Sequence, residues 1–235
     1  MRIIVTAGPT RDYLDPVRFL SNPSTGKMGF AIAAEAARRG HEVVLVAGPV
    51  ALRTPNRVHR VDVTSARDML AAVLAAVEDS KRTTARRDCT RTTAGEAALI
   101  ATAAVADWRP AKCAAQKLKK TQMSGTLRLV RNPDILKTID NYRKRSKAVG
   151  LRLVGFAAET DHVLAEAARK CREKGLSFIV ANDVSEKGSG FGTDTNRVTF
   201  LFPDGREEKF PLMTKRMVAK RILDALSSVV AGREG

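Results

Sequence analysis

Gly26-Lys27-Met28-Gly29-Phe30-Ala31-Ile32-Ala33-Ala34-Glu35-Ala36-Ala37-Arg38-Arg39-Gly40, followed at once by His41-Glu42-Val43-Val44-Leu45-Val46, is the stretch on which the fold of this chain turns. Its first part puts Met28, Ile32 and several alanines on one side of a helix, and Gly40 supplies the left-handed residue that commonly ends one. Its second part is an apolar strand stopped by Gly48-Pro49, and Ile3-Ile4-Val5 upstream is another. Strand, helix, strand in that order implies two parallel strands with a helix crossing over one face.

The alternation continues outward. Val61-Asp62-Val63 precedes a helix that Thr64 or Ser65 can cap and that carries Met69, Val73, Leu74 and Val77. Residues 97–105 read as a strand, and 107–124 as a long irregular segment. Leu153–Phe156 is a further strand, Asp161 can cap a helix running to Lys174, and Phe178-Ile179-Val180 is the next strand. Residues 197–202 and 206–210 flank Pro203-Asp204-Gly205, a hairpin signal, and 214–230 form a last helix. The prediction is an α/β fold: one domain over 1–235, three layers, a mostly parallel sheet with helices on both faces, and a β-hairpin arm. Ligands in such sheets collect at the carboxyl ends of the strands.

The chain has 235 residues, 44% of them hydrophobic, enough for a substantial core. It contains no apolar run of 18 residues, and its start lacks the layout of a secretion signal, so a cytoplasmic protein is expected. Cys89, Cys113 and Cys171 are scattered and odd in number, which argues against disulfides and a zinc site. His41, His59 and His162 form no ligand or triad pattern. The net charge of +16 is concentrated in 81–91 and 143–152, which read as solvated basic loops. Few aromatics accompany these cations, unlike the stacking platforms of single-strand binders, so no specific nucleic-acid partner is expected.

The unusual residues fall at strand ends. Thr6-Ala7-Gly8-Pro9-Thr10 follows the first strand, where Gly8 lets backbone approach a ligand. The G-x-G-x-x-G fingerprint is absent, which disfavours a dinucleotide reductase using NADP. Ser24, Thr25 and Gly26 open the first helix, a place suited to a phosphate, although Met28 after Lys27 rules out a Walker A loop. Arg18 and Asn22 lie upstream on a segment read as irregular, the one a fork for oxyanions and the other an amide donor. Ala103-Ala104-Val105-Ala106-Asp107 ends a strand in small residues and an acceptor. Lys117, Lys119 and Lys120 follow on a segment that can act as a lid over phosphates or be a solvated charge run. Asn132-Pro133-Asp134-Ile135 reads as a rigid turn, and Phe156 ends another strand, ahead of Lys170 and Lys174 one helical turn apart.

Taken together, Thr-Ala-Gly-Pro-Thr, Asp-Pro-Val-Arg, Ser-Asn-x-Ser-x-Gly-Lys-Met-Gly, Ala-Ala-Val-Ala-Asp, Asn-Pro-Asp-Ile, Gly-Phe-Ala-Ala-Glu-Thr and Ala-Asn-Asp-Val resemble the phosphopantothenoylcysteine synthetase family over residues 2 to about 230. In many bacteria that domain is the C-terminal half of a bifunctional protein that also carries a flavin-dependent decarboxylase. The resemblance implies a Rossmann-like fold and a ligase of coenzyme A biosynthesis that takes CTP, 4′-phosphopantothenate and L-cysteine. CTP would activate the acid as an acyl-cytidylate, from which cysteine displaces CMP. It implies catalytic roles for Asn22, Arg18 and Lys117, and a nucleotide site of Ala103, Ala104, Asp107, Pro133, Asp134, Ile135, Leu136, Phe156, Lys170 and Lys174. Phosphates would meet Gly8, Ser24, Thr25 and Gly26. Mg2+ is required, held chiefly by phosphates, with no protein ligand named. Members are homodimers, for which the 197–210 hairpin is the expected contact, and 108–123 is the expected mobile lid. No flavin-site sequence is present, so flavin chemistry is not expected. The residues leave ATP open beside CTP.

Overall fold

A computed structural model of the chain describes residues 1–86, 97–119, 125–146, 150–159, 163–183 and 188–231. Cys89, Asp161, His162 and the 120–123 end of the expected lid lie outside the described residues.

Eight strands make the main sheet, in the order β13-β12-β10-β9-β6-β1-β4-β5. Five of them, β1 (Arg2–Ala7), β4 (Glu42–Ala47), β5 (Val58–Asp62), β6 (Ala97–Ala101) and β9 (Leu151–Glu159), run parallel with β10 (Phe178–Asp183). At the other edge β12 (Val198–Leu201) pairs antiparallel with β10, and β13 (Glu207–Lys209) pairs antiparallel with β12. Ile3, Val5, Val43 and Leu45 face one side of the sheet with α1 (Lys27–Arg38) and α5 (Lys215–Ala231). Ile4, Val44, Leu99 and Leu153 face the other, with α2 (Ala66–Arg86), α3 (Ile135–Arg145) and α4 (Val163–Glu173). The predicted three-layer α/β architecture is therefore the one observed, with β1, β4, β6, β9 and β10 alternating their apolar side chains between two cores.

Gly29 shows how closely α1 lies on this sheet. A Cβ there would stand 2.5 Å from the Ala7 Cβ and 2.6 Å from the Thr102 Oγ1. Glu35, buried in α1, receives hydrogen bonds from Arg38 and Arg39, and Arg39 also reaches Asp224 of α5 at 2.9 Å. These bonds hold the Glu35 carboxyl down to about 2.

Several expectations need correction. Residues 11–21 are not irregular: β2 (Arg11–Asp15) and β3 (Arg18–Ser21) form a hairpin outside the main sheet. Asp15 accepts hydrogen bonds from the amides of Val17 and Arg18, so Asp15-Pro16-Val17-Arg18 is a turn with aspartate and proline where turns favour them. The strand expected over 97–105 leaves the sheet after Ala101. In the segment after Asp107, β7 (Trp108–Pro110) pairs with β8 (Leu129–Arg131). The expected 197–210 hairpin is present as β12 and β13, and it is joined to the main sheet, because β12 pairs with β10 and its Phe200 is fully buried against Phe178. Nor are the described parts of the basic stretches loops. Helix α2 runs on through Arg86, while Arg143 sits in α3 bonded to Asp140 and to the carbonyls of Gly175 and Leu151. Arg152 is buried in β9. Two short strands, β11 (Thr195–Asn196) and β14 (Met213–Thr214), also pair.

Candidate functional site

Strand β1 pairs with β4 on one side and β6 on the other, and the chain's direction of winding reverses between β1 and β6. At the carboxyl ends of these two strands a cleft of about 520 Å³ opens. One wall is residues 102–106, which are bonded along their length to 6–10. Thr102 Oγ1 donates to the Thr6 carbonyl at 2.6 Å, the Ala104 amide to Gly8 at 3.0 Å, and the Ala106 amide to Thr10 Oγ1 at 3.0 Å. The small side chains of Ala103 and Ala104 then leave space above the sheet. The Asn22 side-chain amide donates to the Ala104 carbonyl at 3.1 Å, so its position is fixed against this wall.

The start of α1 forms the floor. Gly26 caps it with φ 78° and contributes no side-chain cap bond, so the first-turn amides, which never have intrahelical partners, are directed at the cleft. Ser24 and Thr25 line the same edge.

Across the cleft, Asn132 joins two pieces. Its amide donates to the Ala106 carbonyl at 2.8 Å and to Asp12 at 3.0 Å, and its backbone N–H donates to the Asp107 carbonyl at 2.8 Å. Pro133 follows, and Asp134 caps α3 by accepting from the Lys137 amide at 3.0 Å. Lys174 pairs with Asp134 at 2.8 Å. Burial pushes the Asp134 carboxyl up, but the Lys137 amide and the Lys174 ammonium outweigh it, and the group titrates below its ordinary value. Ile135, Leu136, Phe156, Lys170 and Lys174 complete this side.

The cleft thus gathers Asn22, Ser24, Thr25, Gly26, Ala103, Ala104, Asp107, Pro133, Asp134, Ile135, Leu136, Phe156, Lys170 and Lys174, and its lining omits three other expected residues. Gly8 lies beneath Gly26, packed against Val50. The Arg18 guanidinium donates to the Leu118 carbonyl at 2.5 Å and pairs with the fully buried Asp15 at 3.3 Å, and Lys117 is exposed on the adjoining segment. That segment is fastened to the β2–β3 hairpin: Asp15 accepts from the Leu118 amide, and Leu14 accepts from the Ala114 amide.

Sequence reasoning missed the remaining side. Lys27, Asn182, Gly190, Phe191, Asn196 and Lys215 also line the cleft. Gly188-Ser189-Gly190-Phe191-Gly192 was a visible signal, a glycine-rich stretch before a strand. Lys215 carried no such signal, since only the fold buries its ammonium.

Residues 1–230 match the family described as DNA/pantothenate metabolism flavoprotein C-terminal domain. The chain belongs to that family. It is 43% identical to the coenzyme A biosynthesis bifunctional protein CoaBC of Escherichia coli K12 over 229 residues, 96% of this chain and 51% of that protein. It is 41% identical to CoaBC of Bacillus subtilis over 228 residues, 97% of this chain and 51% of that protein. The chain spans about half the length of these curated relatives. The crystal structure of the C-terminal domain of CoaBC superposes with a TM-score of 0.74 at 39% identity, covering 98% of this chain and 96% of that one. A Cab2 mutant in complex with phosphopantothenate-cysteine shares the fold, with a TM-score of 0.74 at 14% identity. Among the described residues no group of three His, Cys, Asp or Glu side chains forms a metal cluster, and no helix is long and apolar enough to cross a membrane.

Proposed function

We propose that the chain is a phosphopantothenate–cysteine ligase of coenzyme A biosynthesis that uses CTP and works in the cytoplasm. The observation that carries this reading is one cleft bringing Asn22 and the α1 start together with the Ala103–Asp107 strand end, the turn at Pro133, and Lys170 and Lys174. Membership of a family whose relatives are CoaBC proteins supports it.

In this reading a carboxylate oxygen of 4′-phosphopantothenate attacks the α-phosphorus of CTP. The acyl–phosphate bond forms, the bond to the β-phosphate breaks, and pyrophosphate leaves with the electron pair. The cysteine amine then attacks the acyl carbon and loses a proton, and CMP departs. Asn22, already oriented by the Ala104 carbonyl, donates to the oxygen on which charge develops. Asp107 accepts from a ribose hydroxyl, residues 133–136 read the base through backbone, and Phe156, Lys170 and Lys174 complete the nucleotide pocket. Ser24, Thr25 and the first-turn amides of α1 take phosphate oxygens. Arg18 helps hold the acid substrate, and Lys117 neutralises charge as the segment closes.

Among the described residues two carboxylates, Asp107 and Asp134, line the cleft, too few to build a protein cage for a divalent ion but compatible with Mg2+ carried on the phosphates. Bound there, the ion would supply charge neutralisation of the triphosphate.

The working form is a homodimer. The 197–210 hairpin now suits that contact poorly, because it turns its phenylalanines inward and leaves Glu207, Glu208 and Lys209 on the sheet edge, a charged edge that resists pairing. Val17, Phe19, Trp108, Leu127 and Leu129 are exposed apolar side chains on or beside the two neighbouring hairpins, and we assign the contact to them.

The test is pyrophosphate release from CTP and 4′-phosphopantothenate with Mg2+, with and without cysteine. Release that requires the acid, with amide formed only when cysteine is added, is expected. No acid-dependent release with either CTP or ATP overturns the assignment.

A further inference from the structure

Lys215, the first residue of α5, is 7% exposed and lines the cleft. Its ammonium donates to the carbonyls of Gly190 at 3.1 Å and Thr193 at 2.6 Å, and it makes no ion pair among the described residues. A buried ammonium with carbonyl partners and no counter-charge is costly unless something else repays it. The carboxylate that influences it, Asp194, is 87% exposed and already paired with Lys27 at 2.7 Å. Lys27, first residue of α1, also donates to the Gly192 carbonyl at 2.9 Å. Two lysines at the starts of two neighbouring helices therefore grip the same loop, Gly190 through Asp194, from which Phe191 overhangs the cleft. Burial and the neighbouring Lys27 pull the Lys215 ammonium below its ordinary value, and Asp194 offsets them only in part.

We propose that Lys215 is a positioning residue for an anion subsite at this end of the cleft. Its charge, anchored on the loop carbonyls, holds the Gly190–Asp194 loop against the α1 start and makes that end attractive to phosphate oxygens. This deepens the reading given above, in which phosphates meet the α1 start. The chemistry is that of a phosphate or polyphosphate group. Its source is either the nucleotide or the phosphorylated acid.

The experiment is equilibrium titration of the whole chain with inorganic pyrophosphate and Mg2+, at several salt concentrations, then with CTP and with 4′-phosphopantothenate. Lys215→Met is expected to weaken pyrophosphate binding about tenfold or more and to flatten its salt dependence, because one screened charge has gone. Lys215→Arg, which keeps the charge, recovers most of the affinity and the salt slope, a recovery of slope that a purely structural role would not give. Whichever substrate owns the subsite weakens in parallel while the other changes less. Arg216→Gln, an exposed loss of the same charge on the same helix, leaves all constants within about twofold.

If Lys215→Met fails to fold, the milder Lys215→Gln carries the test: the same loss of pyrophosphate affinity and of salt slope is expected, and an unchanged constant overturns the proposal. So does a folded Lys215→Met protein with wild-type affinity and salt slope. Pyrophosphate binding that depends on Lys215 in a chain that does not ligate would sink the proposed activity and leave this inference standing.

Discussion

Asn22 is held by one hydrogen bond to the Ala104 carbonyl, and this makes its replacement informative. Asn22→Ala removes a donor from the cleft without touching the bonds that zip 102–106 to 6–10. Amide formation is expected to fall roughly 100-fold, the scale for one oxyanion donor, with CTP affinity nearly unchanged by titration. Near-normal turnover would remove Asn22 from the chemistry. Gly29 is the opposite kind of residue, one that matters because it has no side chain. An alanine Cβ would meet the Ala7 Cβ at 2.5 Å and the Thr102 hydroxyl at 2.6 Å. Gly29→Ala should therefore cost about 1–3 kcal/mol by overpacking and shift the α1 start from its place in the cleft. Urea unfolding reads the first effect and pyrophosphate titration the second. A variant as stable as the parent would mean that α1 can retreat from the sheet at no cost.

Helix α1 is tied to α5 through Glu35 and Arg39, and this tie titrates. The hydrogen bond from Arg38, then that from Arg39, holds the Glu35 carboxyl at about 2 against an ordinary 4.5. Its contribution is therefore whole above about pH 4.5 and is lost as pH falls toward 2. Glu35→Gln should lower stability at pH 7 by about 1–2 kcal/mol, a figure kept small because Arg38 is exposed. The gap from the parent should close near pH 2, and a constant gap at both ends would show that packing, not charge, is at stake. The segment carrying Lys117 is tied to β2–β3 in a similar way, through Arg18 and Leu118. Arg18→Gln should let trypsin cleave after Lys117 and Lys119 severalfold faster, with CTP and Mg2+ restoring protection. Equal rates in parent and variant would mean that Arg18 does not hold that segment. The main helices and parallel strands were legible because Ile3-Ile4-Val5 and the alanine-rich helix after Gly26 carry clean periods. Hairpin β2–β3 was not, since Tyr13 and Phe19 pack on each other outside the two cores and leave no long alternation. Most of the cleft was legible from residues crowding at strand ends. The Lys215 side was hidden because a lysine at a helix start reads as solvated until β11 and β14 bring Gly190–Asp194 over it.

The whole molecule exposes its apolar side chains unevenly. Phe19 and Trp108 stand 40% and 45% exposed on adjacent hairpins, Trp108 with the Arg131 guanidinium over its ring. Trp108→Lys with Phe19→Lys should convert a dimer into a monomer in sedimentation, whereas Glu208→Lys on the β13 edge should not. A dimer that survives the first pair and dissociates with the second would move the contact back to the 197–210 hairpin. The strand order has a different consequence, in time rather than space. Strand β1 can pair with β4 as soon as the chain has been made through Ala47, but its other neighbour, β6, begins only at Ala97. At a synthesis rate of about 5–20 residues per second, one edge of Ile3-Ile4-Val5 stays unpaired for roughly 2–10 seconds after β4 has docked. During that interval the half that will hold the α1 start is a sheet with a bare apolar edge, open to any other growing chain on the same message. Ribosome spacing and chaperone access therefore bear on how much of this protein ever reaches its native order.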